Sequence, residues 1–164
     1  QKPVKQATQL RKPVLDKQNI TVKDKKPLNI KSTQFEMLVS FTPNANGSSG
    51  IMLATGDDNY AEIGYNALNK KMYLDRSKCA NQNFNKKFEA SSFYETKMSP
   101  VNKTIKLHIF FDNSIIEVFG NDGEAVMTAQ IFPGKSDNGI ELFSNGGETI
   151  FNKINIWQMK SAWK

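Results

Sequence analysis

Cysteine is nearly missing: Cys79 is the single one in 164 residues. One thiol can close no internal disulfide and found no thiolate zinc cluster, so neither device holds this chain together. Histidine is equally scarce. His108 stands alone in KLHIFF, without the further histidines or cysteines that a zinc site needs, and is expected to serve the structure or face solvent. It is also a poor base for Cys79, which sits in another part of the chain. No glycine-rich phosphate cradle is present, so neither a metal nor a cofactor is expected.

Arginine is restricted to Arg11 and Arg76, although the formal charge is +6 and the pI about 9.3. The excess is therefore lysine, spread along loops and strand edges without the arginine and aromatic interleaving that nucleic-acid readout favours. A solvated basic surface is expected, not a nucleic-acid partner. Long apolar runs are lacking too. No window approaches the roughly 18 apolar residues of a membrane span, and the start QKPVKQATQLRKP has no signal-peptide core. The compartment, secreted or cytoplasmic, would then depend on a segment ahead of Gln1.

What the sequence does have is apolar mass: 38% hydrophobic residues and eleven phenylalanines, enough for one core in a chain of this length. The opening dozen residues hold the one candidate helical fragment, with Val4 and Leu10 as its large apolar residues and Pro13 as its stop. From Gln18 onward the pattern is short runs of period two between Gly, Asn, Pro and Lys clusters, which signals antiparallel strands. In QFEMLVSFT, Phe35, Met37, Val39 and Phe41 fall on one face, while Glu36 and Ser40 fall on the other. GIMLATG, YAEIGYNA and KMYLDR follow too closely for helical crossovers. The stretch from Ser77 to Lys103 has no assignable pattern.

Beyond it come TIKLHIFFD, SIIEVFG, EAVMTAQIF, NGIELFS and ETIFNKINIWQMK. Asn121–Gly123 reads as a hairpin turn, and Asn145, Gly146 and Gly147 read the same way. Many strands and no assigned helix beyond Pro13 predict an all-β protein, a two-sheet antiparallel β-sandwich of jelly-roll or concanavalin-like type. No internal repeat is visible, which argues against a propeller within this chain.

Paired carboxylates could hydrolyse a glycoside. Asp112 closes a strand and Asp122 sits in a turn, where aspartate commonly bonds its own backbone. Asp75 and Glu117 are harder to dismiss. Glu117 lies between Ile116 and Val118, so it faces solvent or needs a partner, and Arg76 is the only arginine expected in the sandwich region. A polar cluster of Asp75, Arg76 and Glu117 is one expectation.

These residues carry a resemblance. KLHIFFDNSIIEVFGNDGEAVMTAQIFPGKSDNGIELFSNGG resembles the C-terminal β-sandwich of glycoside hydrolase family 32, the invertases, levanases and inulinases. Its pattern I-F-x-D-x-S-x-x-E-V-F-x-N-D-G is met by Ile109, Phe110, Asp112, Ser114, Glu117, Val118, Phe119, Asn121, Asp122 and Gly123. MYLDRS is similar to the family's strand ending in D-R-S, QKPVKQATQLR resembles the link leaving its catalytic propeller, and MKSAW resembles its chain end. The chain departs from the family at Gln6, Asn113, Cys79 and Ala80.

The resemblance implies residues 1–14 as a link from a catalytic β-propeller and 15–164 as one sandwich domain. The propeller's W-M-N-D-P-N-G, R-D-P and E-C motifs do not occur here, which implies no catalytic residue in this chain. It also implies a partner, the propeller of the same parent chain, and an accessory role in a sucrose- or fructan-hydrolysing enzyme. Phe84, Phe88, Phe93 and Tyr94 are candidates for an apolar docking patch. The alternative is a module that binds fructose or fructan, for which Tyr60, Tyr65 and Tyr73 would supply aromatic surface beside Asp75, Arg76 and Glu117.

Overall fold

The structure is a computed structural model and describes residues 9–159. Ten strands form one hydrogen-bonded path, β6-β5-β4-β3-β10-β2-β7-β8-β9, with β1 added along β10. The strands are β1 (Arg11–Lys31), β2 (Gln34–Thr42), β3 (Ser48–Gly56), β4 (Asn59–Asn66), β5 (Lys71–Asp75), β6 (Phe93–Lys97), β7 (Ile105–Asp112), β8 (Ile115–Gly120), β9 (Ala125–Gln130) and β10 (Gly139–Met159). All pairings are antiparallel.

Two long strands make this path into a sandwich. The first part of β10, Gly139 to Asn145, pairs with β3, and the later part, Ile150 to Gln158, pairs with β2. Between them Gly146 (φ 88°) and Gly147 (φ 155°) adopt backbone that a side chain would strain, so the strand bends across from one sheet to the other. β1 follows the same bend, with its register shift between Val22 and Asp24. Sheet I is thus β6-β5-β4-β3 with the first part of β10 and the later part of β1. Sheet II is the earlier part of β1, the later part of β10, and β2-β7-β8-β9.

At the bend, the buried Asn44 amide donates to Ser49 Oγ (3.1 Å), Ser144 Oγ (3.0 Å) and the Asn145 carbonyl (3.2 Å). This knot satisfies polar groups that the curving ladder leaves without partners.

The facing sides of the sheets form one core. Phe35, Met37, Val39 and Phe41 of β2 meet Ile51, Leu53, Ile63, Tyr65, Met72 and Leu74 of sheet I, each at most 3% exposed. Phe35 and Phe111 meet edge to face at 5.7 Å, and Phe41 lies 5.2 Å from Phe151. Each such side chain contributes roughly 1.5–3 kcal/mol by leaving water.

Two local expectations are corrected. Pro13 sits within β1, paired with Trp157 of β10, instead of closing a helix. Residues 1–8 of that fragment lie outside the described residues. Asn145 to Gly147 do not reverse the chain: β10 runs through them. The unassigned stretch from Ser77 holds a short helix, α1 (Lys86–Ala90), capped by the Asn85 side chain, and then β6. The expected turn at Asn121–Gly123 is present as a 3-10 turn with Asn121 and Asp122 at positive φ.

Candidate functional site

Residues that alternate away from the core build two outer faces, and the chemistry of the molecule collects on these. On sheet I, cross-strand register aligns Pro27, Glu141, Met52, Glu62, Asp75 and Phe93 in one row. The next row runs Lys25, Phe143, Gly50, Gly64, Tyr73 and Glu95. The glycines make the second row possible. A Cβ on Gly64 would stand 2.7 Å from Tyr73 Cζ, so the tyrosine ring lies down over a strand that has no side chain there.

Tyr73, Met52 and the fully buried Phe143 then form a small second apolar cluster, with Tyr60 packed on its flank. Phe93 stacks on Tyr73 at 5.8 Å and is 52% exposed. Tyr73 Oη donates to Glu62 Oε1 at 2.5 Å. Burial pushes the Glu62 carboxyl up, against the hydrogen bond from Tyr73, and burial likewise pushes the Tyr73 phenol up. Beside the cluster an open groove of about 990 Å³ is lined by Tyr60, Lys25, Asn29, Asn59, Asp58 and Glu141 among others. Lys25 Nζ sits 5.4 Å from the Tyr60 ring centroid.

The outer face of sheet II is built differently. One row is Pro13, Trp157, Glu36, Phe110, Glu117 and Thr128, and the next is Asn155, Leu38, His108, Phe119 and Val126. Glu36 falls on the face away from the core, as expected, yet it is 1% exposed. Arg11 closes over it with Nε to Oε2 at 2.7 Å and Nη2 to Oε1 at 2.5 Å, while His108 Nε2 lies 2.6 Å from Oε1. The Arg11 guanidinium also covers the Trp157 ring at 4.2 Å. Burial alone would raise the Glu36 carboxyl, but hydrogen bonds from Arg11 and His108, with the Arg11 charge, hold it down at about 2.

The six residues singled out from sequence do not form one site. Asp75, Tyr60 and Tyr73 share the outer face of sheet I, with Asp75 Oδ1 accepting from Ser77 N at 2.8 Å. Tyr65 points inward and is 1% exposed in the core. Arg76 is also 1% exposed. It donates to Gln82 Oε1 and to the Phe88 and Ser91 carbonyls, and lies 3.5 Å over the Phe88 ring, so it organises the loop that carries α1. Glu117 is exposed on the other sheet. The cluster of Asp75, Arg76 and Glu117 is therefore not assembled.

Of the four aromatics expected at a docking patch, Phe84 is 62% exposed and packs with Phe88 and Phe132 at 4.9 and 5.2 Å, while Tyr94 packs on the core. Sequence reasoning missed Glu36 and Arg11. The signal was there in part: a glutamate in a strand between Phe35 and Met37 demands a cation, and Arg11 was set aside as link. Cys79, pushed up to about 12 by burial, donates its thiol to the Tyr60 carbonyl and is a packing residue.

Two twisted sheets on one core, with chemistry confined to their outer faces, define a β-sandwich module. Residues 6–158 match the family described as "Glycosyl hydrolases family 32 C terminal", and the chain belongs to that family. It is 37% identical over 123 residues to the levanase of Bacillus subtilis (strain 168), covering 74% of this chain and 18% of that protein. It is 31% identical to the levanase of Bacillus sp. (strain L7) over 170 residues, 100% of this chain and again 18% of that protein. The crystal structure of exo-inulinase from Aspergillus awamori superposes with a TM-score of 0.86 at 26% identity, covering 96% of this chain and 31% of that one. Fructan 1-exohydrolase IIa from Cichorium intybus, at 20% identity and a TM-score of 0.81, shares the fold over 98% of this chain and 38% of its own. The chain thus spans about a fifth of the curated levanases it matches.

Proposed function

We propose that this chain is the non-catalytic C-terminal module of a family 32 β-fructosidase, and that it packs against and stabilises the catalytic β-propeller of the same parent chain. The observation that carries this reading is the family match over residues 6–158 together with the small share of each levanase that the chain covers. The carboxylates support it. A retaining glycosidase holds its nucleophile and acid about 5–5.5 Å apart with the sugar between them. Glu62 and Asp75 face each other across β4 and β5, but Glu62 accepts the Tyr73 hydroxyl, Asp75 caps Ser77, and neither lines the groove.

The test is deletion. Removing residues 1–164 from the parent enzyme should lower its melting temperature and leave the catalytic part prone to aggregate. An unchanged melting temperature, or fructose released from sucrose, levan or inulin by this chain alone, overturns the reading.

One observation favours a second role, recognition of fructose or fructan on the outer face of sheet I. The groove beside Tyr60 combines an aromatic ring with amides, carboxylates and lysines, the mixture that hydroxyl-rich ligands engage. Calorimetry of the catalytically silenced parent chain with levan, inulin, sucrose and fructose should then show heat that Tyr60→Ala abolishes. Heat unchanged by Tyr60→Ala sinks it.

A further inference from the structure

We infer that β1 is a docking edge for a linear anionic glycan, a polysaccharide whose sugars carry carboxylates; this does not rest on the accessory reading and names a ligand other than neutral fructan. Charge singles the strand out. β1 holds seven cations against two carboxylates, Asp16 and Asp24, while the other described residues hold eleven cations against fourteen carboxylates. The lysine excess is thus gathered on one strand instead of spread, and the rest of the described molecule is slightly acidic. Such asymmetry marks a surface that collects the opposite charge.

Lys12, Lys17, Lys23, Lys25, Lys26 and Lys31 are all exposed, and among the described residues none of them forms an ion pair. Arg11, by contrast, is already committed to Glu36 and Trp157. Free lysines act as point charges without the planar fork that bidentate readout requires, so they suit an extended polyanion held by diffuse charge.

The geometry narrows the occupant. Pro13 and Pro27 lack an N–H, and Asn19, Asp24 and Asn29 take positive φ (54°, 81° and 58°), so the free edge is closed to an added strand. A flat bilayer fits no better. β1 bends from sheet II to sheet I near its register shift between Val22 and Asp24, which puts lysines on both sides of a corner, and Val14 is its one widely exposed large apolar residue, at 45%. A flexible polymer can follow that corner.

Sugar is indicated by what the strand borders. Lys25, Pro27, Asn29 and Lys31 line the open groove together with Asn59 and Tyr60. Its carboxylates, Asp57, Asp58 and Glu141, are matched in number by Lys25, Lys31 and Lys78. The groove therefore offers amides and an aromatic ring to hydroxyl groups, while the lysines outside it supply the preference for negative charge.

The experiment measures binding of the parent enzyme to polygalacturonate by calorimetry, with neutral levan alongside. Polygalacturonate should bind, and a tenfold rise in salt should weaken it about a hundredfold, as expected when about three lysines displace counterions. Lys12→Gln/Lys17→Gln/Lys23→Gln/Lys26→Gln, all outside the groove, should weaken binding at least about tenfold. The same charge removed elsewhere, by Lys86→Gln/Lys87→Gln/Lys103→Gln/Lys135→Gln, should change it by less than about twofold. All eight lysines are exposed, so both variants keep the fold. Equal losses in the two variants, or no binding of polygalacturonate, would overturn the inference and leave the accessory reading intact. Equal or tighter binding of single-stranded DNA or of phosphatidylglycerol vesicles would reassign the strand to a phosphate-bearing partner and overturn it as well. Levan binding that falls in step with polygalacturonate binding in the β1 variant would assign the lysines to neutral sugar, with the same result.

Discussion

The two outer faces are made by the same rule, alternate residues of paired strands turned away from one core, yet they resolve their aromatic content in opposite ways. On sheet I, Gly64 gives up its side chain, and the Tyr73 ring lies in the space that results, clustered with the buried Phe143. On sheet II no glycine occupies the corresponding central positions, and the rings of Trp157, Phe110 and His108 gather around a buried carboxylate instead. The first face lays Tyr73 and Phe143 flat and leaves Phe93 exposed at its edge. The second is sealed at one point only, by an ion pair, and leaves aliphatic surface in water. What an outward aromatic does therefore depends less on its own identity than on the residue opposite it on the next strand.

Removing the charge at the centre of sheet II should break the comparison most. Glu36→Ala leaves Arg11 and His108 without their shared acceptor, and urea unfolding should show a loss of about 3 kcal/mol, as for a broken buried pair. Acid tests the same carboxylate without mutation. Because Glu36 is held at about 2 against an ordinary 4.5, its contribution is complete above pH 4.5 and is lost as the pH falls towards 2. Linkage places that loss at about 3 kcal/mol, and Glu36→Gln should flatten it.

Glu62 on sheet I works in the other direction. Its carboxyl is raised, so the folded form takes up a proton first and this position gains stability as the pH falls through that raised value. Next in size, Gly64→Ala should cost about 2 kcal/mol by lifting the Tyr73 ring, with a rise in Tyr73 exposure seen by fluorescence. Smallest is Tyr73→Phe, which removes the donor to Glu62 and should cost about 1 kcal/mol at neutral pH and less in acid, measured by the same unfolding curves.

Much of the architecture was legible in the residues. The period-two pattern of Phe35 to Phe41 gave the core face of β2 correctly, and the absence of crossover-length segments gave antiparallel pairing. Three features were not legible, for physical reasons. Gly146 and Gly147 look the same in sequence whether they reverse a chain or bend a strand between sheets, because both uses need positive φ. Arg76 and Arg11 were exchanged in role. Only the fold brings Arg11 across 25 residues to Glu36, while Arg76 finds carbonyls within 15 residues of itself. Asp75 beside Tyr73 was within reach of the sequence, since both sit on one short strand. Tyr65 was not, because alternation fixes that it opposes its neighbours but not which face is inside.

The bent strands have a consequence for how the molecule is made. β1 and β10, 21 residues each, lie near opposite ends of the described chain, pair with each other along most of their length, and belong to both sheets at once. A ribosome that has delivered β2 through β9 has supplied only separate groups of strands with no seam between them. Closure of such distant partners is slow, so the domain should stay open, and in need of protection from aggregation, until synthesis reaches its final strand.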